Sequence, residues 1–473
     1  MNSAADGREA NLLSSSAVKT GSSFQYDEQE LMRESEVPTK SIRTLAVILL
    51  YVVTVPLSQW VFADVPVSLS AQHPATAVAV RAYKEFFGIT GGAVAVLRGD
   101  DVLYRGTFGL ANVEFNVPVT SDTRFQLSSS TKLFTGTLMA MLAQEGVVDY
   151  SSPIRRYLPD LPESWSDILL EDIMSHSSGL PEVLDCNESE DLEVALRCVY
   201  ELDRPALRRD AFNYNQTNYL LALRVIESVT GESYPDVISR KIFEPVGMSS
   251  TILNGNSHDV VQRRATDYYP NGNGGITIRE YDFPKFLLTA AGMNATLDDM
   301  IAFAKAMDGD TLLDANWKAR MWRAPILSNG KASPYALGWD IRKLRSAAFS
   351  AGHEGGSLTT FRIYPASRLT VVVLTNGMHK KFGLDGFADV LAQTIEPGIL
   401  TPTDSAAYRA RLTYMTKGLE AMSELIRDQL CKSDLDNHEC RELLTWLAEE
   451  LSDDGFGEDA KRLVDRFGAP YEL

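Results

Sequence analysis

Two apolar runs in residues 92–108, GAVAVLRGDDVLYRGTF, are split by Gly99-Asp100-Asp101, the composition of a β-hairpin turn. After Lys132, apolar residues recur at helical spacing at Phe134, Leu138, Met141 and Leu142, which predicts an amphipathic helix with Gly146 at its C-terminal cap. Residues 150–345 alternate helix-like stretches, such as TNYLLALRVIESVTG (217–231) and LDDMIAFAKAM (297–307), with Pro- and Gly-rich connections. Strand patterning returns at 359–375, TTFRIYPASRLTVVVLT, as a hairpin about Pro365-Ala366-Ser367. The expected fold class is α/β (α+β): an antiparallel β-sheet built from distant chain segments, flanked by helices, with a mostly helical subdomain inserted. Residues 405–467 predict a C-terminal helical extension, with Leu412, Met415, Leu419, Met422 and Ile426 as one stripe and Leu443, Leu444, Trp446 and Leu447 as a second cluster. Core packing is the default use of such stripes, and a homo-oligomer interface the minority one.

The N-terminal end has a different texture. Residues 1–43 are polar and rich in Ser, Glu and Gln without periodicity, the signature of an unstructured leader. Thr44 to Ala63, TLAVILLYVVTVPLSQWVFA, then runs twenty residues without a charge, preceded by Arg33, Lys40 and Arg43. That length suits a signal anchor spanning a bilayer with the positive end inside. Equally, Leu45–Val55 suits the apolar core of a signal peptide, with Val61-Phe62-Ala63 offering small residues for cleavage before Asp64. Met32 stands 12 residues before Thr44, and a start there would give an ordinary signal-peptide n-region. Under either reading the remainder is exported, and residues 75–400 form the main domain ahead of the 401–473 extension.

Charge and cysteine content narrow the function classes. Of 473 residues, 63 are Asp or Glu and 45 are Lys or Arg, a formal net charge of −18. Such a surface repels phosphate backbones, so nucleic acid is not an expected partner. Cys186 and Cys198 are 12 apart and Cys431 and Cys440 are 9 apart, with no CxxC, which disfavours zinc. Four cysteines allow three connectivities; in an oxidising compartment the two local bridges are the simplest, and four buried thiols are the alternative.

Chemistry concentrates at FQLSSSTKLFTG, 125–136. A Ser-Thr cluster before an apolar run usually caps a helix. Ser-x-x-Lys, however, places a lysine one helical turn from a serine, where burial can lower the amine's pKa enough for it to take the hydroxyl proton. The chain holds three such pairs: Ser16 with Lys19 in the leader, Ser328 with Lys331 in a turn composition around Asn329-Gly330, and Ser129 with Lys132. Only the last opens a predicted helix. A base needs an orienting partner, and two further segments supply candidates: FNYNQTNY, with Tyr214 located 85 residues after Ser129, and SAGHEGGSLTTF, with His353 before Gly355-Gly356. Residues 353–357, HEGGS, lack the second histidine of a zincin, and no Gly-x-Ser-x-Gly elbow occurs. Neither metal nor another cofactor is expected.

This set resembles the serine β-lactamase and penicillin-binding-protein superfamily. FQLSSSTKLFTG is similar to its F-x-x-x-S-x-x-K-x-F-T-G segment, SHSSGLP (175–181) to its H-T-S-G-L-P turn, LGW (337–339) to its L-G-W strand, and VVVLTN (371–376) to its last strand. The likeness runs in order over roughly residues 85 to 380. It implies a β-lactamase/transpeptidase-like fold in which Ser129 forms an acyl-enzyme and Lys132 and Tyr214 share the proton transfers. It also implies an oxyanion hole from the backbone N–H groups of Ser129 and Gly356 and substrate contacts from Gln216, His353, Glu354 and Gly355. Ser128 or Ser130 remains available to cap the helix, His176 reads as a structural turn histidine, and Trp339 as core.

Departures from the family pattern bear on the substrate. Gln216 stands where Asn is usual, His353 where Lys is usual, and Glu354 where a Thr hydroxyl helps hold a substrate carboxylate. Pointing inward, Glu354 would repel a β-lactam or D-Ala-D-Ala carboxylate; strand alternation equally allows it to point outward. The expected activity is therefore that of an exported serine hydrolase of the esterase or D-stereospecific peptidase type, acting on a small-molecule or peptide acyl substrate. A β-lactamase or DD-carboxypeptidase is the alternative within the superfamily, and a non-catalytic scaffold is the alternative outside enzymology.

Overall fold

The computed structural model describes residues 68–69 and 73–467, apart from 187–190, 204–205, 255, 257, 273–274, 281–282, 345–347, 381, 432–437 and 454–455. The leader, the apolar segment 44–63 and the Ser16–Lys19 pair lie outside them. Among the described residues no helix is long and apolar enough to cross a membrane.

In chain order the elements that frame the site are β1 (Ser68–Leu69), α1 (Pro74–Phe87), β2 (Gly91–Arg98), β3 (Asp101–Asn112), α2 (Lys132–Gln144) and α3 (Thr217–Thr230). Next come β4 (Tyr268–Pro270), β5 (Ile276–Ile278), α4 (Leu297–Asp308), β6 (Asp340–Lys343), β7 (Phe349–Gly355), β8 (Thr359–Tyr364) and β9 (Leu369–Thr375). Helices α5 (Leu384–Ile395), α6 (Pro402–Leu425), α7 (His438–Asp453) and α8 (Gly457–Phe467) close the chain. The main sheet has the order β1-β3-β2-β9-β8-β7-β6, antiparallel throughout, with β9 beside β2 in the register Val372↔Ala95. Strands from both ends of the domain thus meet at the sheet's centre, and the helical middle of the chain is the insertion.

The continuous apolar run of β9 has a physical reason: both faces of the sheet are covered. Val94, Val96, Val371 and Val373 face α1 and α5, where Tyr83 stacks on Phe387 with ring centroids 4.1 Å apart. Ala93, Ala95, Val372 and Leu374 face α2, α4 and the helical insertion. Helix α2 runs through that second core. Eleven of its thirteen residues are buried, so the amphipathic expectation gives way to a central helix with almost no solvent face.

Gly136 of α2 touches Gly338, which has φ +91°, and a Cβ built on Gly338 would sit 2.5 Å from the Gly136 Cα. This contact seats the LGW segment, which forms a turn before β6 rather than a strand, and buries Trp339 in the core as expected.

Both local disulfides, Cys186–Cys198 and Cys431–Cys440, are present. The extension forms its own apolar cluster. It meets α1 through Phe86, whose ring lies 5.6 Å from Tyr414 and 4.9 Å from Phe456. Its stripe differs from the expected one. Gly418 has φ 81° and ψ −180°, which breaks α6 and changes the phase. Ala407, Ala410 and Tyr414 are buried before the break and Leu419, Met422 and Ile426 after it, while Leu412 and Met415 are only half-buried.

Beneath the β6–β8 end of the sheet lies a network of buried charges. Arg362 is fully buried and binds Asp340 at 2.7 Å and Asp385 at the start of α5. Arg342 pairs with Asp389 at 2.8 Å, and the Tyr364 hydroxyl donates to Asp389 at 2.6 Å. Glu354 joins from β7. Its Oε2 accepts from the Leu384 N–H at 3.0 Å and the Asp385 N–H at 3.4 Å, a carboxylate at a helix N-terminus. Burial, reinforced by the Asp385 charge, pushes its pKa up to about 7.

Two outcomes follow from this packing. Gly338→Ala should cost roughly 3 kcal/mol or more in urea denaturation, because neither backbone can retreat and φ +91° disfavours a Cβ; a cost under about 1 kcal/mol would mean the two glycines are not in contact. Since the folded pKa of Glu354 lies above its ordinary 4.5, native protein holds the extra proton between those values and loses stability as pH rises through about 7. Glu354→Gln should therefore be more stable than wild type at pH 8, by about 1–3 kcal/mol, with the gap closing near pH 5. A wild type that is the more stable at pH 8 would contradict this.

Candidate active site

Residues Ser128–Thr131 form a 3-10 turn leading into α2, entered through Ser128 at φ +45°. No side chain caps the helix here, so the capping expectation for Ser128 and Ser130 is not met. The hydroxyls are used elsewhere. Ser130 Oγ donates to the His353 carbonyl at 3.0 Å, and Thr131 Oγ1 accepts from the Met293 N–H at 3.2 Å. These bonds tie the turn to β7 on one side and to the helical insertion on the other. Ser128 and Ser130 are buried, whereas Ser129 between them is partly open.

Lys132, one turn along, is fully buried. Its Nζ donates to Gln216 Oε1 at 3.0 Å and to the Ala290 carbonyl at 3.1 Å, and it lies 4.8 Å and 4.9 Å from the ring centroids of Tyr214 and Tyr219. Burial lowers its pKa to about 7, opposed by the nearby Glu182 carboxylate. At neutral pH a substantial share of the amine is therefore unprotonated and able to accept a proton.

Burial pushes the Tyr214 pKa up, opposed by the Ser129 and Gln216 side chains near its hydroxyl, so it stays a neutral phenol. Tyr214 as a whole residue keeps 36% of its surface open. It is positioned from behind by His176. That buried imidazole accepts the Asn215 N–H at 3.0 Å and the Asn218 amide at 3.1 Å through Nδ1, and its ring packs 4.4 Å from Tyr214. The turn histidine of SHSSG thus holds the loop that carries Tyr214.

Strand β7 completes the floor, paired with β8 on one side and β6 on the other. His353 is buried, its Nδ1 bonds the Glu354 carbonyl at 2.6 Å, and Nε2 has no partner among the described residues. Nδ1 must carry the proton in that contact, which leaves Nε2 as an acceptor. Burial and the Lys132 charge lower its pKa to about 3, so the ring is neutral. Glu354 points away from the site to α5, as described above, the outward of the two directions that strand alternation allows, and not toward the substrate contact the resemblance implies. Gly355 packs against the approach to the Ser128–Thr131 turn: a Cβ there would strike the Leu127 carbonyl oxygen. Gly356 and Ser357 follow with φ 58° and 59°, and the Gly356 N–H has no backbone partner among the described residues.

Two residues at the site went unremarked in the sequence. Glu182 directly follows SHSSGLP, and its carboxylate accepts the Gln216 N–H at 3.0 Å and lies within electrostatic reach of Lys132. Arg279, just after β5, donates from Nη1 to the Gly356 carbonyl at 2.5 Å. By contrast Ser328 and Lys331 sit in an exposed turn. Among the described residues no cluster of three His, Cys, Asp or Glu side chains could hold a metal ion.

Comparison with known proteins agrees with this geometry. The beta-lactamase family model matches residues 79–394. Penicillin-binding protein 4* of Bacillus subtilis is 26% identical over 308 residues, covering 60% of this chain and 68% of that protein. D-aminopeptidase of Gluconobacter oxydans is 30% identical over 373 residues, covering 73% and 67%. The octameric penicillin-binding protein homologue from Pyrococcus abyssi superposes with a TM-score of 0.59 at 20% identity over 72% of this chain and 81% of that one, a likeness of fold. The chain belongs to the beta-lactamase family and is a serine hydrolase of the penicillin-binding-protein-like kind.

Proposed function

We propose that this protein is an exported serine hydrolase that forms an acyl-enzyme at Ser129 and takes esters or amides whose acyl group carries a free ammonium, as in D-amino acid derivatives. The observation that carries the reading is a fully buried Lys132 one turn from a partly open Ser129, with the Tyr214 ring centroid 4.8 Å from the Lys132 amine. Ser129 Oγ attacks the substrate carbonyl carbon and its proton passes to the Lys132 amine, through the Tyr214 hydroxyl as a neutral relay. The carbonyl oxygen becomes an oxyanion and takes hydrogen bonds from the Ser129 and Gly356 N–H groups. Collapse of the tetrahedral intermediate breaks the bond to the leaving group, which receives the proton back through Tyr214. Water repeats the sequence on the acyl-enzyme and frees Ser129.

Substrate preference rests on charge. The family's lysine on β7, which would pair with a substrate carboxylate, is replaced by the neutral His353. Glu182 and the unpartnered His353 Nε2 are both acceptors, suited to an ammonium. The likeness to a D-aminopeptidase supports the same class. The two disulfides suit an oxidising compartment and support export.

With p-nitrophenyl butyrate, Ser129→Ala should lose at least about a thousandfold in kcat/KM, and the acyl adduct seen by intact mass in the wild type should vanish. Full turnover in the variant would exclude Ser129, and no turnover or adduct in either protein would favour a scaffold. Because Lys132 acts as a base, kcat/KM should rise with pH through about 7 and then level. Glu182→Gln removes a charge that supports the protonated amine, so this rise should move to lower pH. The same substitution should cut the preference for D-alanine p-nitroanilide over p-nitrophenyl butyrate by about tenfold or more; an unchanged ratio would remove Glu182 from amine recognition.

A further inference from the structure

The turn after β7 is held from only one direction by the sheet. Leu358 N–H donates to the Gly355 carbonyl at 2.9 Å and Thr375 N–H to the Leu358 carbonyl at 2.8 Å. Between these bonds stand two consecutive left-handed residues, Gly356 and Ser357. For Ser357 that conformation costs on the order of 1 kcal/mol, so it persists only where its surroundings hold it. An oxyanion donor on such a turn is useful only if its N–H direction is preset, because a donor that must reorganise during the reaction loses most of its value.

Opposite the sheet, the β4–β5 hairpin brings Arg279 to this turn. The guanidinium donates to the Gly356 carbonyl at 2.5 Å and lies 4.0 Å from the Tyr269 ring centroid, a stacked arrangement that fixes its plane. Its base is anchored too. Arg279 N–H donates to the Asp267 carbonyl at 2.7 Å, and the neighbouring Tyr268 N–H donates to the Asn376 carbonyl at 2.7 Å. Asn376 in turn bonds the Leu110, Ala111 and Thr266 carbonyls through its amide. The arginine therefore ties the turn, through the β4–β5 hairpin, to the residue that follows β9.

We propose that Arg279 is a positioning residue for the oxyanion hole: by clamping the Gly356 carbonyl it locks the left-handed turn and holds the Gly356 N–H toward the oxygen of the carbonyl that Ser129 attacks. The inference rests on the acyl-enzyme reading above, but its structural half is independent of turnover. A planar donor fork matters more than charge here, so lysine is a poor replacement and glutamine a partial one.

The test uses the full chain with p-nitrophenyl butyrate, with phenylboronic acid as a tetrahedral mimic, and with hydrogen exchange over residues 354–360. Arg279→Ala should lower kcat by about tenfold to a hundredfold with KM within about twofold, and weaken phenylboronic acid by a matching factor. Arg279→Gln should recover part of the loss and Arg279→Lys less. Exchange at the Leu358 amide, which donates to the Gly355 carbonyl, should quicken in Arg279→Ala while the rest of β7 and β8 keeps its protection, which separates a local clamp from general unfolding. The proposal is overturned by unchanged exchange at that turn, by a rise in KM alone (which would make Arg279 a substrate contact), or by boronate affinity that stays constant while kcat falls. Failure of the acyl-enzyme reading would appear separately, as Ser129→Ala that still turns over, and the exchange measurement would decide the clamp without it.

Discussion

Removing the Lys132 amine from water is the constraint on which the other features depend, because an ammonium in that position is costly unless it is either paired or deprotonated. The structure supplies two neutral acceptors in contact, Gln216 Oε1 and the Ala290 carbonyl, and keeps the carboxylate of Glu182 at a greater remove. That balance leaves the amine poised near neutrality. A carboxylate in direct contact would restore its charge and, on the proposed mechanism, end its use as a base; no acceptor at all would make its burial untenable. The almost wholly buried helix α2, the tight Gly136–Gly338 contact and the aromatic rings of Tyr214 and Tyr219 are the means by which water is kept out.

The same enclosure explains how the surrounding groups divide their work. His176 and His353 are both kept neutral by burial and by the Lys132 charge, and His176 uses its free Nδ1 to accept backbone and amide hydrogens behind Tyr214. Charge is exiled to the opposite side of β7, where Glu354 joins Arg362, Asp340 and Asp385 under α5. Successive residues of one strand thus face two electrostatic worlds: His353 toward the site, Glu354 toward the ionic network that fastens strand to helix.

Much of this was legible in the sequence, and the reasons are particular. The hairpins 91–112 and 359–375 and helices α3 and α4 follow from local periodicity and turn residues, which act over a few positions. Ser129, Lys132 and Tyr214 were found through spacing and segment likeness, and they meet in space. Period-2 alternation says that His353 and Glu354 face opposite ways but not which way is inward, so the direction of Glu354 needed the sheet's partners to decide it. The stripe on α6 was misphased because Gly418 breaks the helix, and a glycine inside a periodic pattern does not announce whether it will bend. Arg279 left no local trace, since its acceptor Gly356 is 77 residues away and the contact depends on how the β4–β5 hairpin is anchored.

The most direct test of the account is the protonation state of Lys132 itself, followed by NMR on protein carrying labelled lysine, with Lys132→Arg used to assign its signal. A midpoint near 7 for that one amine, against the ordinary lysine value of 10.5, is what its burial predicts. A midpoint above about 9 would mean that the amine is charged at working pH, and would contradict the account of Lys132 as the base.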